Sequence, residues 1–169
     1  MTPGTGKKIP IAVKIPFTAF FVVWLWVYLR DYGWTNLLYF CDVAMLLTIV
    51  AIWTERPIWA SMPAVGILVP QSLWIVDFLA EAVGGRLTGM TGYMFDEADP
   101  LFTRALSLFH FWLPILLLWM VARLGYDRRA FLRWTLLAWV VVLVCYFWMP
   151  APAPLDTRAD NRMLPVNIN

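Results

Sequence analysis

Five long runs of apolar residues dominate this chain, and short polar segments separate them. The runs cover residues 15–29, 34–54, 57–80, 102–122 and 131–149. A helix needs about 17 to 25 mostly apolar residues to cross a bilayer. The runs lack the alternation of barrel strands, and backbone groups in hydrocarbon must pair within their own segment. The pattern therefore predicts an all-α, polytopic helical membrane bundle of about five transmembrane helices.

Composition agrees with this prediction and assigns the whole chain to one domain. Of the 169 residues, 62% are hydrophobic and only 14% are charged, and the mean hydropathy is +0.69, which is far from the usual range of soluble domains. No internal repeat is evident, so residues 1–169 are interpreted as a single integral membrane domain. We interpret the first run as a retained anchor, because no small-residue cleavage site follows it. A sixth segment could begin after the C-terminal tail, and the sequence would then be a fragment.

The basic residues predict which side of the membrane each loop occupies. Eight Lys and Arg residues fall on the N-terminal side of the five runs and five on the other side. The positive-inside rule then places residues 1–14 in the cytoplasm, with the loop 81–101 and the tail 150–169 outside a bacterial inner (cytoplasmic) membrane. Because the basic residues are scattered at segment ends, no nucleic-acid partner is expected. Aromatic residues near the run ends are interpreted as interfacial anchors: Trp24, Trp26, Tyr28, Trp34, Tyr39, Trp53, Trp59, Trp134 and Trp148.

The one long loop, residues 81–101, allows two interpretations. Its glycines and the acidic stretch from Asp96 to Asp99 interrupt any continuous helix. The loop is either a re-entrant or interfacial cap or a solvated connector. Acidic runs of this kind are usually solvated, and whether this one binds cations stays open.

Several polar residues are expected to share one layer in the outer half of the bundle. Counting depth from the predicted outer ends places five of them there: Cys41, Asp42, Asp77, His110 and Cys145. Thr103, Ser107, His110 and Pro114 follow each other at helical spacing, so one face of the fourth run should point inward. The third run shows similar spacing at Pro63, Gly66, Pro70, Trp74, Asp77 and Glu81.

This layer has a catalytic interpretation. His110, the chain's one histidine, could draw the proton from the Cys41 thiol and create a nucleophilic thiolate. Asp42 or Asp77 could orient the imidazole, while Ser107, Trp74 and Cys145 could line a substrate pocket. The predicted chemistry is hydrolysis of a lipid ester or acyl transfer, with a lipid as the substrate and the bilayer as the partner.

Two non-enzymatic interpretations remain open beside it. The polar groups could bond to one another and fix helix register in a membrane scaffold or assembly protein. Alternatively, Asp42, Asp77 and His110 could form a proton relay in a small transporter. No cofactor or metal is expected, because one histidine cannot supply two haem ligands, no Lys lies mid-span, and no nucleotide or zinc motif occurs. Protein partners cannot be assigned from the sequence.

Three short segments carry a resemblance to known proteins. At Leu38-Tyr39-Phe40-Cys41-Asp42, Leu108-Phe109-His110-Phe111-Trp112 and Leu164-Pro165-Val166-Asn167-Ile168-Asn169, the chain resembles a group of uncharacterised bacterial multi-pass membrane-associated proteins, over most of its length and with no activity implied. More distantly, the order of an early Cys, a Pro/Gly-bearing span, a mid-span His, a basic loop and a late Asn is similar to bacterial relatives of transmembrane-164 acyltransferases and androgen-induced hydrolases. That resemblance implies Cys41 as the nucleophile, His110 as the base and Asn167 or Asn169 as an auxiliary polar group. The chain departs from it at Asp42, since a carboxylate beside Cys41 raises a thiol pKa.

Overall fold

The computed structural model describes residues 8–149, and these form an all-α bundle. Six α-helices occur along the described chain: α1 (Ile11–Asp31), α2 (Phe40–Thr54), α3 (Pro57–Ala82), α4 (Leu101–Leu106), α5 (Phe109–Leu124) and α6 (Ala130–Trp148). Two 3-10 helices, Trp34–Leu38 and Gly92–Met94, lie between them. The predicted fold class is confirmed.

Four helical segments in the described part are long and apolar enough to cross a membrane. They are Ile11–Asp31, Pro57–Ala82, Leu101–Leu124 and Ala130–Trp148. Their outward surfaces are also apolar: Val69, Ile115 and Phe147 are each about 70% exposed. Large apolar side chains on the outside of several long helices are the pattern expected where lipid is the solvent. The protein is a multi-pass helical membrane protein.

The second predicted span differs from the sequence expectation. Instead of one helix over residues 34–54, a 3-10 helix ends at Leu38, Tyr39 is extended, and α2 starts at Phe40. With 15 residues, α2 is about 22 Å long, shorter than the roughly 30 Å hydrocarbon core of a bilayer. A side-chain bond crosses this break, because the Asn36 amide donates to the Asp42 carboxylate over 2.8 Å.

Several basic residues lie at one end of the bundle, which we call the basic end. Lys14 near the start of α1 forms a 2.7 Å ion pair with Glu55, which follows α2. This pair holds the pKa of Glu55 below its usual value. Ser61 in α3 accepts a bond from the Asp127 amide, and Arg123 donates to the Lys8 carbonyl. These contacts bring four chain segments together at one end, as alternating helix directions require.

The opposite end is the capped end, because the loop 83–100 folds back onto it. α3 packs against α2, α5 and α6 and so lies at the centre of the bundle. Aromatic contacts connect α1 to α5, with Trp24 against Phe109 and Phe17 against Trp112. Trp24 and Tyr28 are therefore buried core residues, not the interfacial anchors that their positions near a run end suggested.

Candidate functional site

The polar residues at the capped end form the candidate site, which we call the polar cluster. It comprises Tyr28, Asn36, Cys41, Asp42, Trp74, Asp77, Tyr93, Ser107 and His110. Side chains from α1, α2, α3 and the α4–α5 segment contribute to it. The predicted layer differs from it, since that layer included Cys145 of the fifth run and no residue of the first run. The predicted inward face of the fourth run is confirmed, since Thr103, Ser107, His110 and Pro114 are all buried.

His110 forms a hydrogen bond at one ring nitrogen and stacks against two aromatic rings. Its Nδ1 lies 2.7 Å from the Ser107 carbonyl, and a carbonyl can only accept, so Nδ1 carries the proton. The ring stacks on Trp74 with centroids 4.5 Å apart, and on Phe109 at 4.1 Å. Nε2 is then the unprotonated nitrogen, and among the described residues it has no hydrogen-bond partner. An imidazole with a fixed tautomer and an open lone pair is suited to accept a proton.

An interruption of the fourth predicted span creates the acceptor for His110. The run is split between α4 and α5 at Ser107 and Leu108. There the His110 and Phe111 amides donate three residues back, to the carbonyls of Ser107 and Leu108. This tight turn leaves the Ser107 carbonyl available to the imidazole as well. Pro114 adds to the irregularity, because it has no N–H to donate to the His110 carbonyl four residues earlier.

Two tyrosines that the sequence analysis did not select also belong to the polar cluster. The Tyr28 hydroxyl lies 2.9 Å from the Ser107 hydroxyl, and Tyr93 from the loop interacts with the side chains of Ser107 and Trp74. Burial raises the pKa of the Tyr93 phenol above its usual value. The sequence does contain a sign of the position of Tyr28, since it lies one turn after Trp24 and so shares a helix face with it. Tyr93 has none, because its position depends on how the loop folds.

Cys41 and Asp42 are bonded to each other and not to His110. The Cys41 thiol donates to Asp42 Oδ1 over 3.8 Å, and Asn36 occupies the other carboxylate oxygen. Asp42 is buried, whereas Cys41 is half-buried. Among the described residues no direct hydrogen bond joins Cys41 or Asp42 to His110, so the catalytic roles of these residues stay predictions.

Asp77 anchors the loop and does not orient the imidazole. Its Oδ1 accepts the amides of Thr88 and Gly89, and its Oδ2 accepts the amide and hydroxyl of Thr91. Thr91 is fully buried as a result. Within the loop, Thr91 and Met94 are buried as in a folded cap, whereas residues 82–88 are exposed as in a solvated connector.

The remaining predicted site residues do not all lie in the polar cluster. Trp74 is buried in the aromatic stack, and Cys145 is buried on α6. Pro70 is exposed, so it does not share the inward face of α3 that its spacing predicted, and the buried Gln71 takes that place. Asn167 and Asn169 lie outside the described residues. Within the described residues, no group of three or more His, Cys, Asp or Glu side chains is arranged to hold a metal ion.

The fold and the polar cluster define a class: a multi-pass, all-α membrane protein with a buried polar layer toward one end. Comparison with protein-family models, with curated protein sequences and with solved structures found no match for this chain.

Proposed function

We propose that this protein is a membrane enzyme that hydrolyses a lipid ester or transfers its acyl group, with His110 as the general base and Cys41 as the nucleophile. The observation that carries the proposal is the state of His110. Its Nδ1 proton is bound to the Ser107 carbonyl, so the basic Nε2 is available in a buried, aromatic-walled position. A neutral imidazole arranged in this way is the usual proton acceptor for a thiol or hydroxyl nucleophile.

The proposed reaction proceeds through a thioester. His110 Nε2 takes the proton from the Cys41 thiol, and the thiolate attacks the ester carbonyl carbon. The carbon–oxygen bond to the alcohol breaks, and the alcohol leaves with the proton from His110. Water or the hydroxyl of a second lipid then attacks the thioester carbonyl carbon, and His110 accepts its proton. The carbon–sulfur bond breaks, and that proton passes from His110 to the sulfur.

This mechanism requires the Cys41 side chain to change its partner. In the structure the thiol donates to Asp42, and a neighbouring carboxylate disfavours thiolate formation. Rotation of the side chain toward the α5 side of the site, when a substrate enters, would exchange Asp42 for His110. Because Cys41 is at the second residue of α2, next to the break at Tyr39, the local backbone is less constrained than a mid-helix position.

A matched set of variants tests the acyl-enzyme. Purified protein in nanodiscs is incubated with a lipid ester that carries a labelled acyl chain, and thioester labelling is measured by its sensitivity to hydroxylamine. We expect labelling of the wild type, loss in Cys41→Ala, and a decrease of about 10²-fold or more in His110→Gln, as is typical for removal of a general base. Cys145→Ala is the control, because it removes a thiol from another helix and should label like the wild type. Unchanged labelling in folded Cys41→Ala and His110→Gln would contradict the proposal.

A scaffold role is the second candidate, and one observation favours it. Asp42 and Asp77 are each satisfied by nearby groups of the chain, Asn36 in one case and the loop amides in the other. Polar groups paired in this way hold helices and loops in register. If this is their whole function, His110→Gln lowers the melting temperature and no variant changes acyl labelling, because the wild type is not labelled either.

We further propose that the basic end faces the cytoplasm of a bacterial cell and that the capped end faces outward. Lys14, Arg123 and Arg129 lie at the basic end, as the positive-inside rule requires of a cytoplasmic surface. In intact cells, a membrane-impermeant thiol reagent should label Glu97→Cys in the loop. It should label Tyr126→Cys, between α5 and α6, only after permeabilisation. The reverse pattern would overturn the orientation.

A further inference from the structure

Gln71 is a buried amide whose hydrogen-bonding groups are not used by the protein. Its side chain is 2% exposed, and neither Nε2 nor Oε1 has a partner among the described residues. An amide shielded from water without partners lowers stability, since its donors and acceptor lose their hydration. Replacing it with an apolar side chain of the same size would remove that cost. A ligand that supplies both an acceptor and a donor would satisfy it.

The position of Gln71 connects it to the polar cluster. Gln71, Trp74 and Asp77 are spaced by three residues on α3 and are all buried, so they share the inward face of the helix. Trp74 stacks directly on His110. Gln71 therefore lies one turn, about 4.5 Å along the axis, deeper in the bundle than the Trp74–His110 pair. On helix α5, which packs against α3, the buried Pro114 has no N–H to donate to the His110 carbonyl.

The charges near Gln71 indicate which chemical class of ligand it can bind. The buried polar residues of the described chain include two carboxylates, Asp42 and Asp77, and no Lys or Arg. Of the nearby cations, Arg30 is paired with Asp31. Arg104 donates to the Met94 carbonyl, and its buried Nε has no partner among the described residues, but it lies on α4, on the loop side of His110. A phosphate at the depth of Gln71 would lie on the other side of the Trp74–His110 pair with no buried Lys or Arg beside it, which is unfavourable at low dielectric. An uncharged group that both accepts and donates hydrogen bonds meets no such penalty.

We infer that the polar cluster binds the uncharged glycerol-ester part of a neutral lipid of the diacylglycerol class, with Gln71 as a binding residue. The Gln71 Nε2 donates to an ester carbonyl, and Oε1 accepts the free hydroxyl of the glycerol. Anionic lipids bind less well, because a phosphate in place of that hydroxyl would have no buried cation beside it at the depth of Gln71. The inference rests on the proposed function, since it names the substrate class of the same site and adds a residue that positions it.

Binding without turnover tests this inference. Thermal stabilisation of the purified protein in detergent is titrated with dioctanoylglycerol and, separately, with dioctanoyl phosphatidate. We expect wild type to bind dioctanoylglycerol at least about tenfold more tightly than phosphatidate. Gln71→Met, which keeps the length and shape of the side chain, should have a higher melting temperature without lipid and about tenfold weaker binding of dioctanoylglycerol. Ser72→Ala is the control, because the exposed Ser72 hydroxyl only bonds to its own helix, and it should bind like wild type.

The outcomes separate this inference from the proposed function. Equal binding by Gln71→Met and wild type, or phosphatidate binding as tight as dioctanoylglycerol, overturns the inference while acyl labelling of Cys41 can still occur. Normal dioctanoylglycerol binding by the wild type together with an absence of acyl labelling of the wild type overturns the enzyme and leaves the binding site. Gln71→Leu repeats the measurement with a second apolar side chain in case Gln71→Met fails to fold.

Discussion

Replacing Asp77 with alanine is expected to detach the loop from the capped end. The substitution leaves the amides of Thr88, Gly89 and Thr91 and the Thr91 hydroxyl without their common acceptor. Hydrogen bonds to a charged group are stronger than neutral ones, and a buried donor left unpaired is penalised. The loop would then open, and Tyr93 would leave Ser107 and Trp74. Proteolytic cleavage within residues 84–94 should accelerate on the order of tenfold or more, because cleavage follows the population of the open form.

Two further variants define the cause of this effect. Asp77→Asn keeps one acceptor oxygen and should give an intermediate rate of cleavage. Glu97→Gln removes a charge from the same loop at an exposed side chain, so it should leave cleavage nearly unchanged. An Asp77→Ala protein cleaved at the wild-type rate would mean that the loop is held by its apolar contacts and not by the carboxylate.

Replacing Gly66 with alanine is expected to separate α3 from α6. A Cβ at this position would lie 1.8 Å from the Trp134 ring, which is far inside van der Waals contact. The ring is rigid and cannot bend away. Either Trp134 must change rotamer or the helices must move apart. Over-packing of this kind costs about 1 to 3 kcal/mol, and we expect a value near the upper end because the three nearest atoms all belong to the bulky Trp134 ring. Equilibrium unfolding in mixed micelles measures the loss.

The interpretation of Gly66 is tested by a compensating change. Trp134→Leu alone removes packing and should destabilise the protein, but Gly66→Ala combined with Trp134→Leu should be less unstable than the sum of the two changes. Gly92→Ala is the control glycine, since the nearest atoms to its Cβ would be at an ordinary 3.8 Å. If Gly66→Ala unfolds like the wild type, the close approach of the two helices is not needed.

The cap also affects how a lipid would reach the polar cluster. The loop closes the capped end through Asp77 and Tyr93, and Arg104 holds the Met94 carbonyl at 3.0 Å. A lipid ester would therefore enter from the side, between helices, and not from water through the loop. This route agrees with a neutral substrate that is dissolved in the bilayer.

Much of the architecture was predictable from local pattern. Apolar runs long enough to span hydrocarbon predict helices, because no other open structure pairs all its backbone groups there. The inward face of the fourth run was predictable for a similar reason: the spacing of Thr103, Ser107 and His110 leaves the polar groups no favourable position toward lipid. The break at Tyr39 was not predictable, since Leu38-Tyr39-Phe40 is apolar and continuous with its neighbours. There the backbone changes from a 3-10 helix to the extended Tyr39 and then to α2, and a hydrogen bond joins the side chains of Asn36 and Asp42. Hydropathy carries no information about such a change.

The sequence by itself determined that this protein is a helical membrane bundle with polar residues gathered toward one end, because hydrophobic length and helical period are local properties. Tertiary structure decided the partners of those residues. It joined Asp77 to the loop 11 to 14 residues away, Tyr28 to Ser107 across 79 residues, and Cys41 to its own neighbour Asp42. A carboxylate or thiol bonds to whichever group the packed helices bring within about 3 to 4 Å, and that choice is a property of the whole bundle.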